Sequence, residues 1–398
     1  MTQEASVKPF PALSSGTLAR TQVPRKIAHL TSVHPPFDVR IFHKECKSIA
    51  RAGYDVTLVA CHENDEIREG IRIRGIGKAS GRLSRMIRGV WAVYKEAIRL
   101  DAELYHFHDP ELLPIGLLLR MRGKIVVYDV HEDVSVDVAQ KHYIPQGLRH
   151  LSASAVSLLE TVTSGFFSAV VPATPTISRR FGSRDRQVVV SNYPAVEDLQ
   201  VIPGKTWSRR GAAIAYVGVL SRDRCIIELV EAMSMLPKDR LAILRLAGRF
   251  SPSSLQDELA GTKGWERVEV LGVLDHPAVA ELLSDVRMGL VVLKPTKGFL
   301  ESLPIKMFEY MCSGIPVIAS DFARFAEVIR GAKCGLLVDP NDARAIAQAI
   351  EFLLSHPEQA EEMGRRGREA VLAKYNWSSE ERKLIHLYQA LLKSPCVA

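Results

Sequence analysis

The chain has 398 residues, 47% of them hydrophobic and 24% charged, with a formal net charge of +7. That is ordinary globular composition and enough length for two domains. No apolar run reaches the ~20 residues that a membrane span needs. The charge is uneven: residues 1–205 hold 27 Lys/Arg and 21 Asp/Glu, a net of +6, and the remainder holds 25 and 24. Such a bias suits an anionic lipid surface or an anionic acceptor. It does not suit nucleic acid, because no basic cluster is interleaved with aromatics. The six cysteines (Cys46, Cys61, Cys225, Cys312, Cys334, Cys396) lie far apart with no C-x-x-C pair. That argues against a zinc site and for reduced thiols in the cytoplasm.

Residues 1–24 carry Pro, Ser and Thr but no apolar signal-peptide segment, and a flexible tail is expected. Lys26 to Ser32 reads as a first buried strand, followed by the loop Val33-His34-Pro35-Pro36. Helical periodicity runs from Val39 to Ala52, with Ile41, Phe42, Cys46 and Ile49 on one face. Further strands are expected at Tyr54–Ala60, Ile71–Ile76, Leu104–His108, Lys124–Val130, Ala169–Pro172 and Gln187–Ser191. His131 and Glu132 fall at the end of one of them, and alternation points His106 and His108 to the same side of another. The segment 83–100 is a basic helix. Leu83, Ile87, Val90, Trp91, Tyr94 and Ile98 are its apolar members; it is read either as core-facing or as a peripheral membrane contact.

Periodicity fades over 195–211 in a stretch with Pro, Gly and charge, which reads as a linker. The pattern then restarts. Strands are expected at Ala213–Leu220, Leu241–Ala247, Val268–Leu274, Met288–Leu293, Ile315–Ser320 and Gly335–Val338, with helices between them. A last helix, about Ser379 to Leu392, is expected to cross back onto the first half. Strand–helix alternation implies an α/β fold with parallel sheets. Two such runs imply two Rossmann-like, doubly wound domains, 25–205 and 206–375, facing across a cleft, with 376–398 returning to the first. Ligands bind such sheets at the carboxyl ends of their strands.

The most informative stretch is Phe299 to Asp321, FLESLPIKMFEYMCSGIPVIASD. Glu301 and Glu309 are spaced E-x7-E. Pro304 suits the first turn of a helix and Gly314 its left-handed end. The helix N-terminus then offers free N–H groups to a phosphate. Taken with Tyr216-Val-Gly218 and Tyr128-Asp-Val-His131, this stretch resembles the GT-B glycosyltransferases, and most closely the large retaining family 4.

The resemblance implies transfer of a sugar from a nucleotide diphospho-sugar to a hydroxyl acceptor. A lipid-linked saccharide in bacterial surface-polysaccharide assembly is the expected setting. No cofactor and no divalent ion are required. Glu301 matches the carboxylate that approaches the donor sugar, and Glu309 the one that accepts from the ribose hydroxyls. Gly218, Ser302 and Leu303 fall at donor-contact positions. The family places an Arg and a Lys at the diphosphate, where leaving-group charge develops. Here Val219 stands at the Arg position and Arg224 at the Lys position. Arg222 or Lys306 is left to supply the missing charge, unless Lys306 is simply an exposed lysine. A cation in the first turn of a helix opposes the dipole, and a bound anion would account for it.

His131 matches the family's active-site histidine. The loop with Asp38 and Arg40 replaces a Gly-Gly donor loop, so these two, with His108, are expected to contact donor or acceptor through side chains. Two other functions share the architecture: a nucleotide-sugar epimerase and a non-catalytic nucleotide-sugar-binding subunit. The protein is expected in the cytoplasm or on the inner face of the cytoplasmic membrane.

Overall fold

The computed structural model describes residues 24–77, 85–131, 146–182, 186–199 and 210–393. The first sheet contains β1 (Lys26–Leu30), β2 (Asp55–Ala60), β3 (Glu66–Arg68), β4 (Ile71–Gly75), β5 (Leu104–Phe107), β6 (Ile125–Val130) and β7 (Ala169–Pro172). Its order is β3-β4-β2-β1-β5-β6-β7. All neighbours are parallel except the edge hairpin β3–β4. The second sheet contains β8 (Ala213–Val217), β9 (Ile243–Ala247), β10 (Val268–Gly272), β11 (Met288–Val291), β12 (Val317–Ser320) and β13 (Gly335–Val338). It is fully parallel in the order β10-β9-β8-β11-β12-β13. Each sheet reverses direction next to its first strand, between β1 and β5 and between β8 and β11. These switch points open the crevices in which doubly wound sheets bind ligands. The central strands β8 and β11 of the second sheet read as unbroken apolar runs because helices cover both their faces, whereas β1, β5 and β6 of the first carry buried His29, His106 and Asp129.

Several expectations change in detail. Residues Gln187 to Ser191 run beside β7, but only Gln187 forms a bridge, to Val170. The short edge strand β3 is too polar to have stood out. The helix Pro357–Ala373 was not foreseen either, since its buried stripe is Ala360, Gly364, Gly367 and Val371. Small residues give a weak periodic signal, yet here they permit close approach: a Cβ on Gly364 would stand 2.1 Å from the Gly314 carbonyl oxygen.

The basic helix also turns over. Val93 and Ala97 of Val90–Leu100 face the core, while Ile87, Trp91 and Ile98 are 64%, 53% and 39% exposed. Leu83 lies outside the described residues.

The helical run from Val39 begins with two widened turns, Val39–Cys46, and continues as Lys47–Arg51. The Asp38 carbonyl accepts from both Phe42 N (2.9 Å) and His43 N (3.2 Å). Ile41, Phe42, Cys46 and Ile49 are buried as the periodicity predicts, but Arg40, Lys44 and Glu45 are buried with them.

The final helix, Trp377–Lys393, does cross back. Trp377, Leu384, Leu387, Tyr388, Leu391 and Leu392 share a core with Ile41, Cys46 and Ile49 of the first domain. Trp377 Nε1 donates to Ser48 Oγ at 2.8 Å.

Candidate active site

The second-domain half of the site is built on the motif stretch. A short helix, Lys297–Glu301, is capped by Thr296, whose Oγ1 accepts from Phe299 N at 3.3 Å. Pro304 is extended and caps the motif helix, Ile305–Cys312, rather than entering its first turn. Two contacts press this helix onto the sheet at the β8/β11 switch point. Tyr310 OH accepts from Val217 N at 3.0 Å. Gly289 on β11 leaves room for the Tyr310 ring, since a Cβ there would stand 2.2 Å from it.

Lys306 is therefore not an exposed lysine. It is 6% exposed, and its ammonium lies 3.8 Å above the centre of the Tyr216 ring with no hydrogen-bond partner. A Cβ on Gly218, at the carboxyl end of β8, would stand 3.2 Å from Lys306 Nζ. Burial, then the neighbouring Arg224, push the ammonium well below its ordinary pKa, against a smaller opposing pull from Glu309. Arg224 stacks over the Phe299 ring at 5.3 Å. Two cations thus converge where a helix N-terminus and the end of β8 meet, and one of them is buried and unsatisfied. Such a group is costly unless an anion joins it. Arg222, also expected at the donor, pairs with Glu258 on the surface of the free protein. Val219 is 43% exposed and supplies no charge.

Glu309, three residues beyond Lys306, is half-buried. Burial raises its pKa, and Lys44, His276 and Lys306 partly offset the rise. Glu301 is exposed, and its Oε2 accepts from Thr176 Oγ1 of the first domain at 3.1 Å. Thr176 Oγ1 also accepts from Arg324 Nη1 at 2.8 Å. This hydroxyl joins the two domains across the cleft. Beside it, Ser302 and Leu303 share a cavity of about 740 Å³ with His131, Thr174 and Tyr193.

His131 forms the first-domain wall of that cavity. Its Nε2 lies 2.7 Å from Asp129 Oδ2. Asp129 is held well below the usual carboxylate range: burial opposes ionisation, but Arg40 and His131 outweigh it. Arg40 donates to Asp129 through Nε at 3.0 Å and Nη2 at 2.8 Å. An ionised Asp129 favours the His131 tautomer with its proton on Nε2 and its lone pair on Nδ1.

Three residues expected to touch a ligand make intramolecular bonds around this dyad. Arg40 is buried and fully engaged by Asp129 and the Val190 carbonyl. Asp38 Oδ1 accepts from Arg40 N (2.8 Å) and Ile41 N (2.9 Å), so it caps the helical run. His108 is buried behind His131, with Nδ1 3.1 Å from Asp129 Oδ2, and burial pushes its pKa down to about 4. Glu132 lies outside the described residues.

Two further residues were missed. Buried Asp109 accepts from Thr31 Oγ1 at 2.8 Å and Ser32 N at 2.6 Å, which pins the loop after β1 to the end of β5. His34 lies 3.4 Å from Asp109 and 3.5 Å from Asp38, with its ring 5.2 Å from that of His131. Hydrogen bonding to Asp38, with the nearby carboxylates, raises its pKa in spite of burial. The only sequence signal was a histidine and an aspartate in two loops that the topology makes adjacent.

Residues 204–370 match the family model for glycosyl transferases group 1, and residues 39–193 match glycosyltransferase family 4. The chain belongs to the GT-B glycosyltransferases. Among curated relatives of this family, the phosphatidyl-myo-inositol mannosyltransferase of Mycobacterium leprae is 31% identical over 151 residues, which span 38% of each chain. That match therefore covers well under half of the relative's length. Two solved structures share the fold over nearly the whole chain. Sucrose-phosphate synthase from Thermosynechococcus elongatus superposes with a TM-score of 0.75 at 20% identity, covering 92% of this chain and 99% of its own. HepE of Anabaena in complex with UDP-glucose gives 0.69 at 14% identity, covering 92% and 99%.

Proposed function

We propose that the protein transfers a sugar, a hexose by family analogy, from a nucleotide diphospho-sugar to a hydroxyl acceptor, with retention at the anomeric carbon. The observation that carries this reading is the buried, unpartnered Lys306 ammonium beside Arg224 at the β8/β11 switch point. A diphosphate there receives two cations and the N–H groups of the motif helix. Leaving-group charge develops at the same place, so fixed cations lower the barrier. Glu309 accepts from the ribose hydroxyls and Glu301 from the sugar. No cofactor is required.

Retention is proposed through departure and attack on one face of the sugar. The diphosphate oxygen that leaves takes up the proton of the incoming hydroxyl. Glu301 positions the sugar and does not attack it, being held by Thr176 at the cleft edge. His131 accepts a hydrogen bond from the sugar or the acceptor through Nδ1.

The acceptor we propose is a lipid-linked saccharide of surface-polysaccharide assembly, reached from the cytoplasmic face of the membrane. The M. leprae relative is named for a lipid acceptor, and the exposed face of Ile87, Trp91 and Ile98 beside Arg88, Lys95 and Arg99 suits an anionic membrane surface. No helix among the described residues is long and apolar enough to cross a membrane.

A thermal-shift series with UDP, GDP and ADP, with UDP first because HepE was solved with UDP-glucose, identifies the donor class. Incubating the labelled nucleotide-sugar with membranes then tests transfer. Label entering lipid supports it, while binding without turnover refutes it. The second outcome favours a nucleotide-sugar-binding subunit, the reading that Val219 in place of an arginine supports.

A further inference from the structure

Beneath His131 the first domain holds a polar cluster that sugar transfer does not use. His29 on β1, His106 on β5, His108 just beyond it and Glu45 of Val39–Cys46 meet in the core. His29, His106 and Glu45 are 0% exposed and His108 is 3% exposed. One ligating atom from each lies within 4.8 Å of the other three. His29 Nδ1 is 3.0 Å from His108 Nε2 and 3.9 Å from Glu45 Oε2. His106 Nδ1 is 3.8 Å from the same oxygen and hydrogen-bonds Tyr388 OH at 2.6 Å, which leaves Nε2 as its unpartnered nitrogen. Four donors bound tetrahedrally at ~2.0–2.1 Å from an ion stand about 3.4 Å apart, so these separations are close to a ligand shell.

Two observations point to an occupant. First, both Glu45 oxygens and His106 Nε2 are buried without a hydrogen-bond partner. Arg40 Nε lies 3.0 Å from Glu45 Oε1, but its N–H is directed to Asp129. Second, the ligand histidines have the outer partners that metal-bound imidazoles use. His108 Nδ1 meets the Asp129 carboxylate at 3.1 Å, and His29 Nε2 meets Tyr388 OH at 3.2 Å. With its Nδ1 proton held by Asp129, His108 turns a bare Nε2 toward His29. When His29 Nε2 donates to Tyr388, His29 Nδ1 is bare as well. Two lone pairs and a carboxylate then face one point. The opposite proton order, Tyr388 to His29 to His108, closes the chain without an ion but leaves Glu45 unsatisfied.

We propose that His29, Glu45, His106 and His108 bind one divalent late transition-metal ion, zinc by donor set, as a structural site under the transfer cleft. Imidazole and carboxylate donors suit that class. The ion ties β1, β5 and the helical run together directly behind the His131–Asp129 dyad. It takes no part in transfer, so the site is independent of the proposed function.

The test is elemental analysis of the full chain purified without a metal-affinity step. About one zinc per chain is expected. Chelator treatment removes it, and returning Zn²⁺ to a large excess over Kd raises Tm by roughly 5–10 °C. Co²⁺ gives the visible absorption of a tetrahedral site. Glu45→Gln and His29→Gln, made separately in case one fails to fold, each lose the metal. Wild-type protein with no stoichiometric metal, and no Tm response to Zn²⁺, Co²⁺ or Mn²⁺ after chelation, overturns the proposal. So does metal retained in either variant.

Discussion

Replacing Lys306 by methionine separates donor binding from folding, because the two are predicted to move in opposite directions. Methionine keeps the length of the stem over Tyr216 and removes the ammonium. In the free protein that ammonium is buried with no hydrogen-bond partner, a state that costs about 1–3 kcal/mol. Its position 3.8 Å above Tyr216 returns about 0.5–2 kcal/mol as a cation–π contact. The variant should therefore be more stable by about 1 kcal/mol, a Tm rise of roughly 2–4 °C for a domain of this size.

Donor binding should suffer. Truncating one partner of a desolvated charge pair costs about 2–5 kcal/mol, which weakens Kd by about 30-fold to a few thousandfold. Lys306 also sets two pH slopes. Its folded pKa lies well below the ordinary 10.5, so its contribution to free-protein stability grows as pH rises from the folded pKa toward 10.5 and is lost as pH falls through the folded pKa. A bound diphosphate favours the ammonium, so binding takes up a proton and affinity falls as pH rises through that window. Lys306→Met abolishes both slopes. Differential scanning fluorimetry and calorimetric titration with the nucleotide-sugar from pH 6 to 9 read them. An unchanged Kd together with a lowered Tm would refute the reasoning.

Glu309→Gln should raise KM for the donor by about 10- to 100-fold, from losing charged hydrogen bonds worth about 1.5–3 kcal/mol, with kcat within a few-fold. An unchanged KM removes the ribose role. Thr176→Val keeps shape but breaks the bridge between Glu301 and Arg324. It should lower kcat/KM several-fold and leave Tm nearly unchanged, since the bridge is at most part-buried; full activity would show that the bridge is not used in turnover. Trp377→Ala removes a 2% exposed side chain that joins the last helix to the first domain. Urea unfolding should show a loss of about 3–5 kcal/mol, and a loss under 1 kcal/mol would mean that the helix docks without it. Trp91→Asp combined with Ile87→Asp should leave Tm unchanged and abolish flotation with anionic liposomes. Retained flotation places any membrane contact elsewhere.

The fold was legible because buried parallel strands need continuous apolar runs, and runs such as Ala213–Val217 and Met288–Val291 can be little else. The first face of a helix is harder to read. Trp91 and Ile98 have the right spacing for a core stripe, yet the small Val93 and Ala97 fit the sheet and the larger residues remain outside. Helix Pro357–Ala373 was invisible for the same reason, since close approach selects glycine and alanine rather than large apolar residues.

In the site, local spacing located Glu301, Glu309 and the start of the motif helix, because those relations live within a few turns of one segment. Burial of Lys306 followed only once Tyr216 and Gly218 were brought beneath it by strand β8. Arg222 and Arg224, two residues apart, have opposite fates, one paired with Glu258 at the surface and one beside Lys306. Two doubly wound sheets and the E-x7-E segment beside the β8/β11 switch point could be read from residue order alone. Which cations lack partners, which bonds Asp38, Arg40 and His108 make inside the first domain, and that three histidines and Glu45 share one interior, emerge only in the folded chain. Most of these properties rest on contacts between segments distant in the chain, such as Arg40 with Asp129, 89 residues apart, and Lys306 with Tyr216, 90 apart, and a side chain's partners and solvation are set by those contacts.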